Sequence, residues 1–261
     1  MHRISANATH LVATLAVTAA AVLTAFAIPT AAQALTINLF GGDGHTVTGS
    51  GKEVNVARHV GAFSVLRLDS SVDVHARQGA TPSVSVHADD NIEPMIETTV
   101  EGDALVVRMK KGSSFSTHHN VVVDVVFTSL TAARQHGSGD LHIESVAGPR
   151  FESSIAGSGD LHIDNARLGR LALSIAGSGD VIIAGSADEA RFGVAGSGDI
   201  NARNFAARKV SVSVSGSGDA RVNASETLEA KVAGSGDVSY SGHPRDVSRH
   251  VSGSGSIEAA D

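Results

Sequence analysis

The sequence has no cysteine and no tryptophan, and only one tyrosine and five prolines among its 261 residues. Without cysteine there is no disulfide framework, no thiolate metal centre and no thiol to carry a lipid. Stability must therefore rest on packing and hydrogen bonding alone. Aromatic residues supply 3% of the chain against 42% hydrophobic residues, so any core is built from Val, Ile, Leu and Ala. Positive charge is also in deficit, with 20 Lys and Arg against 27 Asp and Glu and a net charge of −7. A chain of this sign, with no Lys/Arg-rich run, has no electrostatic attraction to nucleic acid or to an anionic membrane. Glycine, by contrast, is abundant at 28 residues. Abundant glycine with scarce proline points to many tight turns rather than to collagen or a disordered tail.

The first 34 residues stand apart. Arg3 leads into "LVATLAVTAAAVLTAFAI" (Leu11–Ile28), followed by Pro29 and "AAQA". Ala32 and Ala34 satisfy the A-x-A rule, which predicts a signal peptide over 1–34 cut between Ala34 and Leu35. The apolar run approaches membrane-spanning length, but its Ala/Thr-rich composition is weakly hydrophobic, and cleavage is favoured over a retained anchor. The expectation is an exported protein in the periplasm, on the cell surface or in the medium. Lacking cysteine, it is not a lipoprotein.

The rest is organised by repetition. "GSGD" begins at Gly137, Gly157, Gly177, Gly196, Gly216 and Gly234, and "GSGS" begins at Gly253. The intervals are 20, 20, 19, 20, 18 and 19 residues. Two residues before the glycine stand Ile155, Ile175, Val194, Val214, Val232 and Val251. Just after the motif stand Leu141, Leu161, Val181, Ile200, Ala220, Val238 and Ile257, and two further on Ile143, Ile163, Ile183, Ala202, Val222, Tyr240 and Ala259. Alternation of this kind is the period of a strand with one buried face. No single repeat can bury that face alone; coils stacked about 4.8 Å apart can. The spacing predicts an all-β, right-handed parallel β-helix, a solenoid of about seven 18–20-residue rungs over 134–261. Glycine is required at the corners because stacked turns leave no room for a Cβ.

Upstream, "FSVLRLDSSVDVHARQG", "PSVSVHAD", "GDALVVRMKKG" and "NVVVDVVFTSL" alternate apolar and polar residues between turn signals. Residues 61–133 are expected as a β-strand region capping the first rung, and 35–60 as a flexible lead-in. Gln135 and His136 break the repeat pattern in the first rung.

The "FSVLRL" start, "VEGDALVV", the run of GSGD corners and "GSGDVSYSGHP" before the last "VSGSGSI" resemble the GIN domain family of auto-transporter adhesin head domains. The likeness covers roughly Gly61 to Asp261. It implies an exported, solenoidal, non-catalytic protein of the cell envelope or surface.

Motifs for chemistry are sparse. "GSGK" at Gly49–Lys52 falls short of a phosphate loop, with Thr46 where a glycine is needed and Glu53 where Ser or Thr is needed. The chain has neither G-x-S-x-G nor H-E-x-x-H, and no catalytic residue is assigned. His118–His119 reads as an exposed loop or strand end rather than as a metal contact. His142 and His162 share an outward position on adjacent repeats, but Ile182 follows on the third, and two histidines alone make a poor metal site.

Asp140, Asp160, Asp180, Asp199, Asp219 and Asp237 should line one corner. Their favoured role is turn chemistry, by hydrogen bonds to nearby N–H groups. One carboxylate per rung is thin coordination, so calcium binding, if any, should be weak, and no other cofactor is expected. The commitment is to a structural or adhesive module whose partner is a surface ligand or glycan, able to form homo-oligomers through the solenoid ends. The alternative is a carbohydrate-active β-helix enzyme, a lyase or hydrolase. It would need long loops to wall a cleft, and coils this short leave little chain to build them.

Overall fold

The computed structural model describes residues 45–260. The signal peptide, the Ala34–Leu35 cleavage point and the start of the lead-in lie outside the described residues. The chain begins with β1 (His45–Thr48), β2 (Glu53–Arg58), β3 (Val65–Asp69), β4 (Asp73–Gln78) and β5 (Ser83–Asp89). After one 3-10 turn at Glu93–Met95 come β6 (Ile96–Glu101), β7 (Ala104–Met109), β8 (Ser113–Ser116), β9 (Val122–Phe127) and β10 (Ala132–Gly137). Five long strands follow: β11 (Leu141–Gly157), β12 (Leu161–Gly177), β13 (Val181–Gly196), β14 (Ile200–Gly216) and β15 (Ala220–Gly234). The last are β16 (Val238–Ser241), β17 (Asp246–Gly253) and β18 (Ile257–Ala259).

Each long strand starts after one GSGD corner and ends at the first glycine of the next. From β11 onward every neighbour pairs in parallel, one repeat out of step. Leu141 meets Leu161, then Val181, Ile200, Ala220, Val238 and Ile257 in one continuous column. Ile155, Ile175, Val194, Val214, Val232 and Val251 form a second. This is the β-solenoid that the spacing predicts. Within β11 the ladder lapses at Glu144 and Pro149, dividing the coil into three paired segments. Proline lacks the N–H that a ladder needs. Differences in coil length are absorbed in the middle segment, where the register shifts between Ile163 and Ala166 and again between Ile182 and Gly185. Corners and apolar columns stay aligned.

The columns form the core. Leu141, Ile143, Ile155 and Ile175 are buried, and Phe127, Phe151 and Phe205 fill the wider parts of the interior. Each such aliphatic side chain withdrawn from water contributes about 1.5–3 kcal/mol. The second column fails at one position: Val251, expected to face inward, is 42% exposed, as is Val247 at 38%. Ala259, at the end of the third column, is exposed too. Among the described residues no coil stacks on β17, so its apolar positions have no covering layer. At the corners both reasons for glycine apply. Gly177 has φ 151°, and a Cβ there or on Gly179 would run into the carbonyl of Gly157 or Gly159 in the preceding coil.

The upstream region both caps the solenoid and belongs to it. β3 pairs in parallel with β10, and β4 with the start of β11, so β3 and β4 are one more coil. β7 and β9 stack beneath them, again in parallel. Antiparallel β6 on one side and β5 followed by β2 on the other close that end. Of the lead-in expected as flexible over 35–60, the described part, 45–60, holds two paired strands instead. β1 pairs with β8, and β2 pairs with β5 along its whole length. The alternation of "EVNVAR" gives β2 one half-buried face, which is enough to hold it on a sheet edge.

Candidate functional site

The corner aspartates form one column. Oδ1 of Asp140 accepts the backbone N–H of Asp160 at 2.9 Å, and Asp160 accepts that of Asp180 at 2.8 Å. The relation continues through Asp199, Asp219 and Asp237 and ends on the N–H of Ser256, at 2.7–2.8 Å. Asp73 heads the ladder, taking the N–H of Asp140 at 2.9 Å. In the sequence Asp73 follows "SSV" rather than "GSG" and lies 67 residues before Asp140, so the repeat did not reveal it. One oxygen of each carboxylate is thereby committed to the next coil.

Side chains two residues past each aspartate share its outward face. His142 is in register with His75 on one side and His162 on the other. Their rings stack along the sheet, with centroids 5.7 Å apart for His75–His142 and 5.3 Å for His142–His162. Asp164, two residues past His162, lies between two of these rings. Its Oδ2 is 2.8 Å from Nε2 of His142 and its Oδ1 is 3.2 Å from Nε2 of His162. The histidines, Asp73, Asp140, Asp160 and Asp180 line a recess of about 430 Å³ that Ile182, 49% exposed, closes on one side. Sequence reasoning found the His142–His162 pair and missed its neighbours. His75 is distant in the chain, but the alternation in "DLHID" (160–164) already placed Asp164 on the same face.

The same row runs on. From Asp124 and His75 it passes through His142, His162, Ile182, Asn201, Arg221 and Ser239 to Glu258, one residue per strand across nine strands.

A second group lies beside it, where Glu53, His75, His87, His118, His119 and Asp124 line a recess of about 490 Å³. His118 is exposed in a loop, as expected. His119 is held: its Nδ1 is 2.8 Å from Oδ1 of Asp89, which is 0% exposed. Hydrogen bonds from Thr117 and then His119 keep the Asp89 carboxyl below the usual carboxylate range, while Asp89 raises His119 above the ordinary imidazole value. Lys52 of "GSGK" is 3.2 Å from Asp90, whose Oδ1 also accepts the Ser50 hydroxyl at 2.6 Å. That turn is closed by a carboxylate of the protein itself.

Residues 62–244 match the family profile described as "Putative auto-transporter adhesin, head GIN domain". Among solved structures, a "putative adhesin" from Bacteroides fragilis superposes with TM-score 0.79 at 25% identity, over 82% of this chain and 100% of that one. A "putative lipid binding protein" from Parabacteroides distasonis gives TM-score 0.70 at 28% identity, over 83% and 100%. A second protein of that organism, a "putative adhesin", gives TM-score 0.66 at 23% identity, over 82% and 100%, which speaks to fold alone. No curated protein sequence matches the chain.

Proposed function

Because the chain belongs to the family of auto-transporter adhesin head GIN domains, we propose that it is an exported, non-catalytic module that holds an extended surface ligand such as a glycan. The observation that carries this reading is the outward row from Asp124 to Glu258, registered across nine strands. Eight steps of about 4.8 Å give a track of roughly 38 Å. Every position on it is set by the backbone ladder rather than by a loop, so little ordering cost attends binding. A carboxylate stands at each end, with three imidazoles, Ile182, an amide, a guanidinium and a hydroxyl between, and the polar groups donate to and accept from hydroxyls. Pairing of two copies along the exposed strand β17 is part of the same proposal, since an uncovered edge with apolar positions invites a second chain. Screening the purified protein on a glycan array tests the reading. A restricted set of bound glycans, unchanged after incubation, supports it; released sugar products would make the protein a carbohydrate-active enzyme instead.

A further inference from the structure

We propose that His142, His162 and Asp164 form a binding site for a divalent transition-metal ion of the zinc class. The three side chains each offer one ligand atom, and those atoms all lie within 4.8 Å of one another. The two carboxylate oxygens of Asp164 divide between the imidazoles, Oδ2 lying 2.8 Å from Nε2 of His142 and Oδ1 lying 3.2 Å from Nε2 of His162. Donors about 2.0–2.1 Å from a tetrahedral zinc ion stand roughly 3.3 Å apart. Seating the ion draws donors that already lie within 4.8 Å of one another to that spacing, by rotation of side chains that are partly exposed.

The fold supplies the precision. His142 and His162 are partners in a parallel ladder, so the backbone sets the spacing from which their side chains project. Asp164 sits on the same strand as His162 and, by the period of two, on the same face. His75 packs edge-on against the His142 ring, at 83° between planes, and limits its rotation. Asp73, Asp140, Asp160 and Asp180 line one recess with His142 and His162, and a cleft whose charges are of one sign concentrates the opposite ion.

The donor set selects the metal. Imidazole nitrogens with one carboxylate suit zinc, copper(II) and nickel(II), whereas calcium and magnesium prefer oxygen alone. The side chains of His142, His162 and Asp164 are 37%, 52% and 45% exposed, so an ion here keeps positions open to water or to an incoming donor. The neighbouring histidine group is a weaker candidate, because His119 and the buried Asp89 are already committed to each other.

The inference does not depend on glycan binding and is tested without one. Tag-free, metal-stripped protein is titrated with zinc chloride in a calorimeter and with cobalt(II) in a spectrophotometer. The expected result is one ion per chain, with affinity falling at least about tenfold in Asp164→Asn and in His162→Ala. The cobalt bands should be lost in the same variants. His87→Ala/His118→Ala should bind as the parent does. Because the proposed ligands are exposed, the variants should melt with the wild type in the absence of metal. Absence of saturable binding, or binding that survives both ligand variants, overturns the proposal. So does loss of binding in His87→Ala/His118→Ala, which would put the ion in the other recess.

Discussion

Oδ1 of Asp160 accepts the backbone N–H of Asp180, one coil further on, at 2.8 Å. Repeated from Asp73 to Ser256, this contact turns a column of like charges into a column of latches. Carboxylates about 4.8 Å apart repel by roughly 1 kcal/mol per pair in water. A hydrogen bond to a charged acceptor returns about 1.5–3 kcal/mol. The latch outweighs the repulsion, and the glycines on either side let the coils come close enough to form it.

If the latch is what matters, Asp160→Asn should melt at or above the wild-type temperature, because the amide oxygen still accepts while the charge is gone. Asp160→Ala loses the acceptor and should destabilise by about 1 kcal/mol. Equal losses in the two variants would mean that the charge itself is required.

Calcium provides a second check on the column. With one oxygen of each carboxylate already bonded, millimolar calcium should leave the thermal midpoint where excess chelator leaves it. A rise of several degrees would show that cations, not N–H groups, hold the corner.

Ile175 is 1% exposed between Ile155 and Val194, whereas Ser178 is exposed at the next corner. Ile175→Asp buries an unpaired carboxylate and should cost several kcal/mol, about enough to unfold the domain. Gly179→Ala forces a methyl against the Gly159 carbonyl and should cost about 1–3 kcal/mol through overpacking. Ser178→Ala should be nearly silent. Chemical denaturation of the three variants gives the order, and a silent Ile175→Asp would refute the inward assignment.

The Asp89–His119 pair makes stability depend on pH. His119 is raised above its ordinary 6.5, so its contribution is complete below that value and is lost as pH rises through the folded value. Asp89 is lowered from 3.8, so its contribution is complete above that value and is lost as pH falls through the folded value. Both are present between about pH 4 and 6.5. The melting gap between wild type and His119→Gln should be widest between about pH 4 and 6.5 and narrow as pH rises through the folded value of His119. A gap of constant width would remove the ion pair from the account.

Much of this fold is legible because each coil repeats the same constraints at short range. Gly177 and Gly179 mark a corner, Ile175 and Val181 mark the faces, and the next copy confirms them 19 residues on. The first coil escapes that logic. Its strands β3 and β4 are separated from their partners β10 and β11 by an excursion through β5 to β9, so Asp73 meets Asp140 across 67 residues. Its corner also lacks glycine, carrying Ser70, Ser71 and Val72 where the later corners read GSG. The binding face was half visible for the same reason: His142 and His162 are one period apart, while His75 is not. Strand β2 was hidden by its polar, glycine-flanked setting, and only its partner β5 gives it a place.

Localised binding tests the central claim, that the outward row is the ligand-holding surface of an adhesive module. Arg221 and Asn201 lie on the row beyond the histidine group, and Arg221 meets the latch column only through a 4.0 Å contact with Oδ2 of Asp219, the oxygen the latch does not use. A glycan captured by the wild-type protein should be titrated against Asn201→Ala/Arg221→Ala, with melting curves run in parallel. The account predicts an unchanged melt and affinity lowered by about tenfold or more, on the order of 1.4 kcal/mol. Undiminished affinity in a folded variant, or cleavage of the glycan by either protein, would contradict it.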